Sequence, residues 1–159
     1  MIQKTFSGAL IIGMALLHPV NAADTITIDQ AQQVSEKMEQ AAQAKDIQAV
    51  MSLLDPVVEI TMVISTAQGQ QTTMHLNYHQ YEQAMLSVWP LTENYTYQRS
   101  NEKINLSTDG KTAIVEADIL EKGTLNGQVM ITRTHEVATL ELRSGAVLIT
   151  KIYGDSKIR

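Results

Sequence analysis

The chain has 159 residues, no cysteine, few aromatic side chains (4%) and a formal charge of −5. That length holds one domain with a substantial core, and the lack of thiols excludes both a disulfide framework and a lipid-bearing cysteine. Lysines and arginines stand singly with no basic patch, so nucleic acid and anionic membrane surfaces are poor partners.

Residues 1–22 read as a secretory leader. Lys4 precedes an apolar run over residues 6–17, and Val20-Asn21-Ala22 puts small residues where a signal peptidase cuts. Cleavage is expected after Ala22, and the apolar run is too short to leave a stable membrane anchor. The mature chain, residues 23–159, is expected to be a single domain in the periplasm or secreted. Its charge moves to −6 once Lys4 is gone.

Thr27 with Gln30 predicts a capping box, followed by Ala31, Val34, Met38, Ala41 and Ala42 at helical spacing. Asp46 predicts the cap of a second helix, with Ile47, Val50, Met51 and Leu54 turned inward and Pro56 as its stop. Residues 57–65 alternate as a strand, with Val58, Ile60, Met62 and Ile64 on one face. A turn at 67–70 leads into a short strand over 72–76. Asn77 with Gln80 predicts the cap of a third helix, and Tyr78, Tyr81, Met85, Val88 and Trp89 form its inner side before Pro90.

The remainder reads as β. Residues 95–106 form a long strand that loses phase near Asn101, and Thr108-Asp109-Gly110 is a hairpin signal. Residues 111–121 follow, with Ala113, Val115, Ala117 and Ile119 on one face. Strands over 128–143 and 146–153 come next, and residues 154–159 read as a polar tail. Helices ahead of an antiparallel meander define an α+β class.

Several groupings could carry chemistry. His75, His79 and Glu82 are spaced for metal ligation only on one continuous helix, which the Asn77 cap interrupts, so no metal site is expected. Asp118 and His135 fall on neighbouring strands, either as an ordinary ion pair on a solvated face or as an acid/base pair. Tyr95, Tyr97 and Arg99 share a strand face near Trp89 and Tyr81, fit either to stack a planar ligand or to close one end of the core. Met38, Met51, Met62, Met74 and Met85 read as core or as an adaptable pocket wall.

The order of elements resembles the nuclear transport factor 2-like superfamily, which includes the SnoaL-like and ketosteroid isomerase-like proteins. So do residues 45–50 (KDIQAV), the turn over 105–113 (NLSTDGKTA) and the final hairpin over 143–149 (RSGAVLI). The resemblance implies a cone, in which a strongly curved antiparallel sheet wraps three helices from the N-terminal half around an apolar pocket. It also implies dimers. The isomerases of this superfamily use a tyrosine on the first helix, an aspartate on the first strand and a late acidic residue. Aligned on Asp46 and on Leu140 and Leu142, those positions fall on Met38, on Ile60 to Met62, and on Ala138. Met and Ala can neither take a proton nor donate a hydrogen bond to an enolate oxygen.

The expectation is therefore a non-catalytic module without a cofactor. Its pocket, lined by Val34, Met38, Val50, Met62, Tyr81, Met85, Trp89 and Ala138, holds a small apolar ligand and carries no proton-handling group at its depth. A homodimer through the sheet is expected with it. The alternatives are a cyclase or dehydratase-type enzyme using His135 and Asp118, or a docking subunit of an envelope assembly.

Overall fold

A computed structural model describes residues 25–159, so the leader and its cleavage site lie outside the described residues. The described chain forms helices α1 (Ile28–Gln43), α2 (Ile47–Ser52) and α3 (Tyr78–Val88) and a 3-10 turn (Trp89–Leu91). Its strands are β1 (Leu54–Ser65), β2 (Gln71–Leu76), β3 (Thr92–Leu106), β4 (Thr112–Leu125), β5 (Gln128–Arg143) and β6 (Ala146–Ile158). The class is α+β, as expected.

Local chemistry sets the helix starts. Thr27 and Gln30 cap α1 reciprocally, Asn77 and Gln80 do the same for α3, and Asp46 accepts from the Ala49 amide at α2. The second helix ends earlier than expected, and β1 already begins at Leu54. Pro56 is carried inside the strand because the ladder is irregular between Leu54 and Glu59, where no amide is required of it. The loss of phase near Asn101 is a bulge: pairing with β4 slips between Ser100 and Lys103, and Asn101 sits at a φ of 55°.

The sheet order is β2-β1-β6-β5-β4-β3. Neighbours are antiparallel except β1 and β6, which run parallel, so the sheet is mixed rather than wholly antiparallel. The expected tail is also corrected. Residues 154–158 continue β6, with Gly154 opposite Met62 on one side and Glu136 on the other. Asp155 and Lys157 misled because they face outward, while Ser156 faces inward and hydrogen-bonds Thr134 at 2.8 Å.

The helices pack on one face of the sheet, α1 against β3, β4 and β6 and α3 against β1 and β2. The core between them is aliphatic: Val34, Met38, Val50, Met51, Leu54, Ile60, Val115, Leu140 and Ile149. At the free edge of β3, Glu39 accepts from the Arg99 amide and Gln43 donates to the Tyr97 carbonyl. Side chains of α1 thus cover groups that would otherwise be open to another strand.

Candidate acid–base pocket

The inward phase of β4 runs Ala113, Val115, Ala117, Ile119 and then Glu121. That of β5 runs Leu140, Ala138, Glu136, Thr134 and Thr132. Strand alternation therefore delivers two carboxylates to the same face as the core. On β3, Tyr97 lies directly opposite Glu121 and Arg99 opposite Ile119. The expectation of an interior free of ionisable groups does not survive this arrangement. The strands stay in phase beyond their apolar residues and carry polar ones inside.

Two linked sets result. In the first, Arg99, with a side chain only 5% exposed, donates from Nη1 to Glu136 Oε1 at 3.0 Å and from Nε to Glu102 Oε2 at 3.1 Å. Ala117, the cross-strand neighbour of Glu136, is small enough to let the arginine reach across β4. Ser35 of α1 donates to the same Glu102 oxygen. Burial works against the Arg99 charge, but Glu136 and Tyr97 outweigh it and hold the guanidinium protonated. Every formal charge in this set has a partner.

In the second, the Tyr95 hydroxyl donates to Glu121 Oε1 at 2.6 Å. Glu121 is largely buried and forms no ion pair among the described residues. Desolvation pushes its carboxyl above the usual range, the Tyr95 bond offsets part of that, and the Glu136 charge adds to it. The phenols of Tyr81, Tyr95 and Tyr97 are all raised, chiefly by burial and then by the nearby carboxylates, so they remain neutral donors.

Glu121, Glu136, Tyr81, Tyr97 and Thr134 line an inner cavity of about 90 Å³. Met38, Val50, Met62, Trp89, Ile149 and Ile152 complete its lining. A second depression of about 160 Å³ adjoins it and shares Trp89 and Glu121 as walls. Lys45 fixes this boundary by donating to the carbonyls of Trp89 (3.0 Å) and Thr92 (2.7 Å).

Of the residues expected around the pocket, Met38, Val50, Met62, Tyr81 and Trp89 line the inner cavity. Val34 and Ala138 meet Met38 around a crevice of about 10 Å³, and Met85 is packed in the core. Met38, Ile60 and Ala138, at or beside the positions matching the isomerase residues, are buried. What the sequence reading missed is that Glu121 and Glu136 bring carboxylates to the interior from other strands. The signal was present as carboxylates falling on the apolar phase.

His135 and Asp118 are cross-strand partners 3.0 Å apart, on the face turned away from the helices, and each is about half exposed (54% and 50%). A hydrogen bond from Asn101, then one from His135, holds the Asp118 carboxyl below its usual range. The pair lies in an open groove of about 810 Å³ with Arg133, Asp155 and Lys157. His75 meets Thr61 and His79 meets Glu82, and no group of three potential ligands converges on a metal position among the described residues.

The helix order, the mixed six-stranded sheet and the cavity between them define a nuclear transport factor 2-like fold. Solved structures agree. A hexachlorocyclohexane dehydrochlorinase of Novosphingobium barchaimii superposes with a TM-score of 0.63 at 16% identity, over 79% of this chain and 83% of that one. A ketosteroid isomerase-like protein of Erwinia carotovora atroseptica gives 0.57 at 14%, over 82% and 98%. A nuclear transport factor 2-like protein of Cytophaga hutchinsonii gives 0.61 at 14%, again over 82% and 98%. No family model matches the sequence, and neither does any curated protein.

Proposed function

We propose that this protein is an acid–base catalyst acting on a small neutral molecule held between helices and sheet, with Glu121 as its proton acceptor. The observation that carries the proposal is the Glu121 carboxyl itself. It is largely buried, has no cation partner among the described residues, is oriented by the Tyr95 hydroxyl and stands on a cavity wall beside phenols that stay protonated. Abstraction of a proton next to a carbonyl needs a base and a donor for the developing oxyanion, and these residues supply both. The free Glu121 oxygen takes the proton, and the C–H pair becomes the C=C of an enolate. The carbonyl π pair moves onto oxygen, towards a hydroxyl of Tyr81 or Tyr97. Returning the proton to another carbon gives isomerisation, and loss of a group from the adjacent carbon gives elimination. The enzymes named among the structural neighbours are consistent with chemistry of this kind.

The test is exchange of the α-protons of butanone with D2O, followed by NMR. The wild-type protein should accelerate exchange, and the rate should rise with pH through the elevated Glu121 pKa. Glu121→Gln should lower it by about 10²–10⁴-fold, the usual contribution of a general base. Wild-type exchange no faster than buffer, or full activity in the glutamine variant, would overturn the proposal.

The apolar residues of the cavity wall favour a second reading, a non-catalytic carrier of a small apolar ligand. Co-purified ligand without any exchange activity would select it. We also propose export, on the leader at residues 1–22, and a homodimer through the outer sheet face. There Val129 is 71% exposed and Tyr153 45% exposed. Sedimentation of the mature protein reads the second directly.

A further inference from the structure

We propose that the depression outside Trp89 is a second subsite, built for the apolar remainder of a substrate whose carbonyl end occupies the inner cavity. This rests on the proposed function and narrows its substrate to a neutral carbonyl compound with an unbranched apolar tail.

Volume is the first argument. A water molecule occupies about 30 Å³ in the liquid, so an inner cavity of about 90 Å³ takes roughly three such groups. A carbonyl and its two neighbouring carbons fill it. Anything larger must leave, and the adjoining depression shares both Trp89 and Glu121 with the inner cavity. A molecule placed with its reacting carbon at Glu121 is therefore directed along that route.

The chemistry of the depression is the second argument. Val88, Leu125 and Met130 join the rings of Trp89 and Tyr95 around about 160 Å³. Leu125 ends β4 and is the lining residue next to the exposed hairpin turn at Asn126. Gly123 is the next inward position after Glu121. A Cβ there would meet Thr92 Cγ2 at 2.4 Å, with Tyr95 Cδ2 at 3.7 Å. The bare position lets β3 and β4 approach closely, with the Thr92 methyl lying where a side chain at 123 would stand. Met at one wall adapts to a flexible chain. By the same volume scale the subsite takes about five methylenes.

Trp89 is the chain's single tryptophan and stands between the two compartments, so its fluorescence reports occupancy without requiring turnover. The probes are 2-alkanones, titrated as a series from butanone to 2-decanone. Affinity should rise about fourfold per added methylene, the fold-change for burying one CH2, over roughly five methylenes, and then level off. Thr132→Phe should flatten the series by filling the depression. Leu125→Ala, at the hairpin end, should reduce only the gain from the longest members. A flat wild-type series, no alkanone binding at all, or an unchanged slope in Thr132→Phe overturns the subsite. A rising series without deuterium exchange supports the subsite and removes only the catalytic role of Glu121, whereas exchange on butanone with a flat series removes only the subsite.

Discussion

Replacing Arg99 with methionine keeps most of the volume of its buried stem and removes the one cation that, among the described residues, neutralises the inner carboxylates. Glu136 and Glu102, 18% and 27% exposed, would both lose a charge-assisted hydrogen bond at about 3 Å. Breaking a buried pair from one side costs about 3–5 kcal/mol. The lower end applies here, because Glu102 retains some water and the Ser35 hydroxyl. A loss of about 3 kcal/mol corresponds to a Tm lower by roughly 10 °C for a domain of this size. Urea unfolding followed by circular dichroism measures it. A double variant identifies the cause. Adding Glu136→Gln to Arg99→Met should recover much of the loss, since an amide is cheaper than a bare carboxylate to leave in the interior. A single variant as stable as wild type, or a double variant no better than the single one, would refute the reasoning. Arg99 would then be a bystander, and Glu121 would no longer stand apart as the carboxyl without a counter-charge.

Three further outcomes follow from the same geometry. In Gly154→Ala the new methyl would approach Met62 Cε at 2.7 Å and Thr134 Cγ2 at 3.2 Å. It should push the flexible Met62 tip into the inner cavity at a cost of about 1 kcal/mol and weaken butanone binding in a Trp89 fluorescence titration; unchanged binding would mean that Met62 does not border the occupied space. Because Tyr81, Tyr95 and Tyr97 hold their protons more tightly folded than unfolded, stability should fall as pH rises beyond about 10, where unfolded phenols ionise. Tyrosinate absorbance should then develop together with loss of circular dichroism, and its full development in a folded protein would contradict their burial. Asp118→Asn with His135→Asn should leave Tm and α-proton exchange unchanged, since an exposed pair contributes little; loss of exchange would move the chemistry to the outer face.

Most of the fold was legible because its signals are local. Thr27 with Gln30, Asn77 with Gln80, and Asp46 each name a helix start within four residues, and the apolar alternation around Val115 names a strand and its inner face. The parallel pairing of β1 with β6 is not local. It joins residues about ninety positions apart by the register Met62 to Gly154, and no pattern within either segment announces it. The end of β6 was lost for the same reason. Gly154, Asp155 and Ser156 look like a tail until β1 and β5 are placed on either side of them. The site fell between these cases. Extending the alternation Ala113, Val115, Ala117, Ile119 by one step puts Glu121 inside, and tracing β5 back from Leu140 and Ala138 puts Glu136 there too. A carboxylate on the apolar phase costs free energy unless something holds it, and in this chain the two are held differently. Glu136 is held by Arg99, an arrangement that accounts for its burial through structure alone. Among the described residues Glu121 is held only by a neutral phenol, which orients the carboxyl without cancelling its charge. A fold maintained for packing alone would gain by an apolar residue at position 121. Keeping a desolvated carboxyl on the wall of a cavity is what proton transfer requires, and this contrast between two inward glutamates, rather than the fold, is the ground for assigning chemistry to the interior.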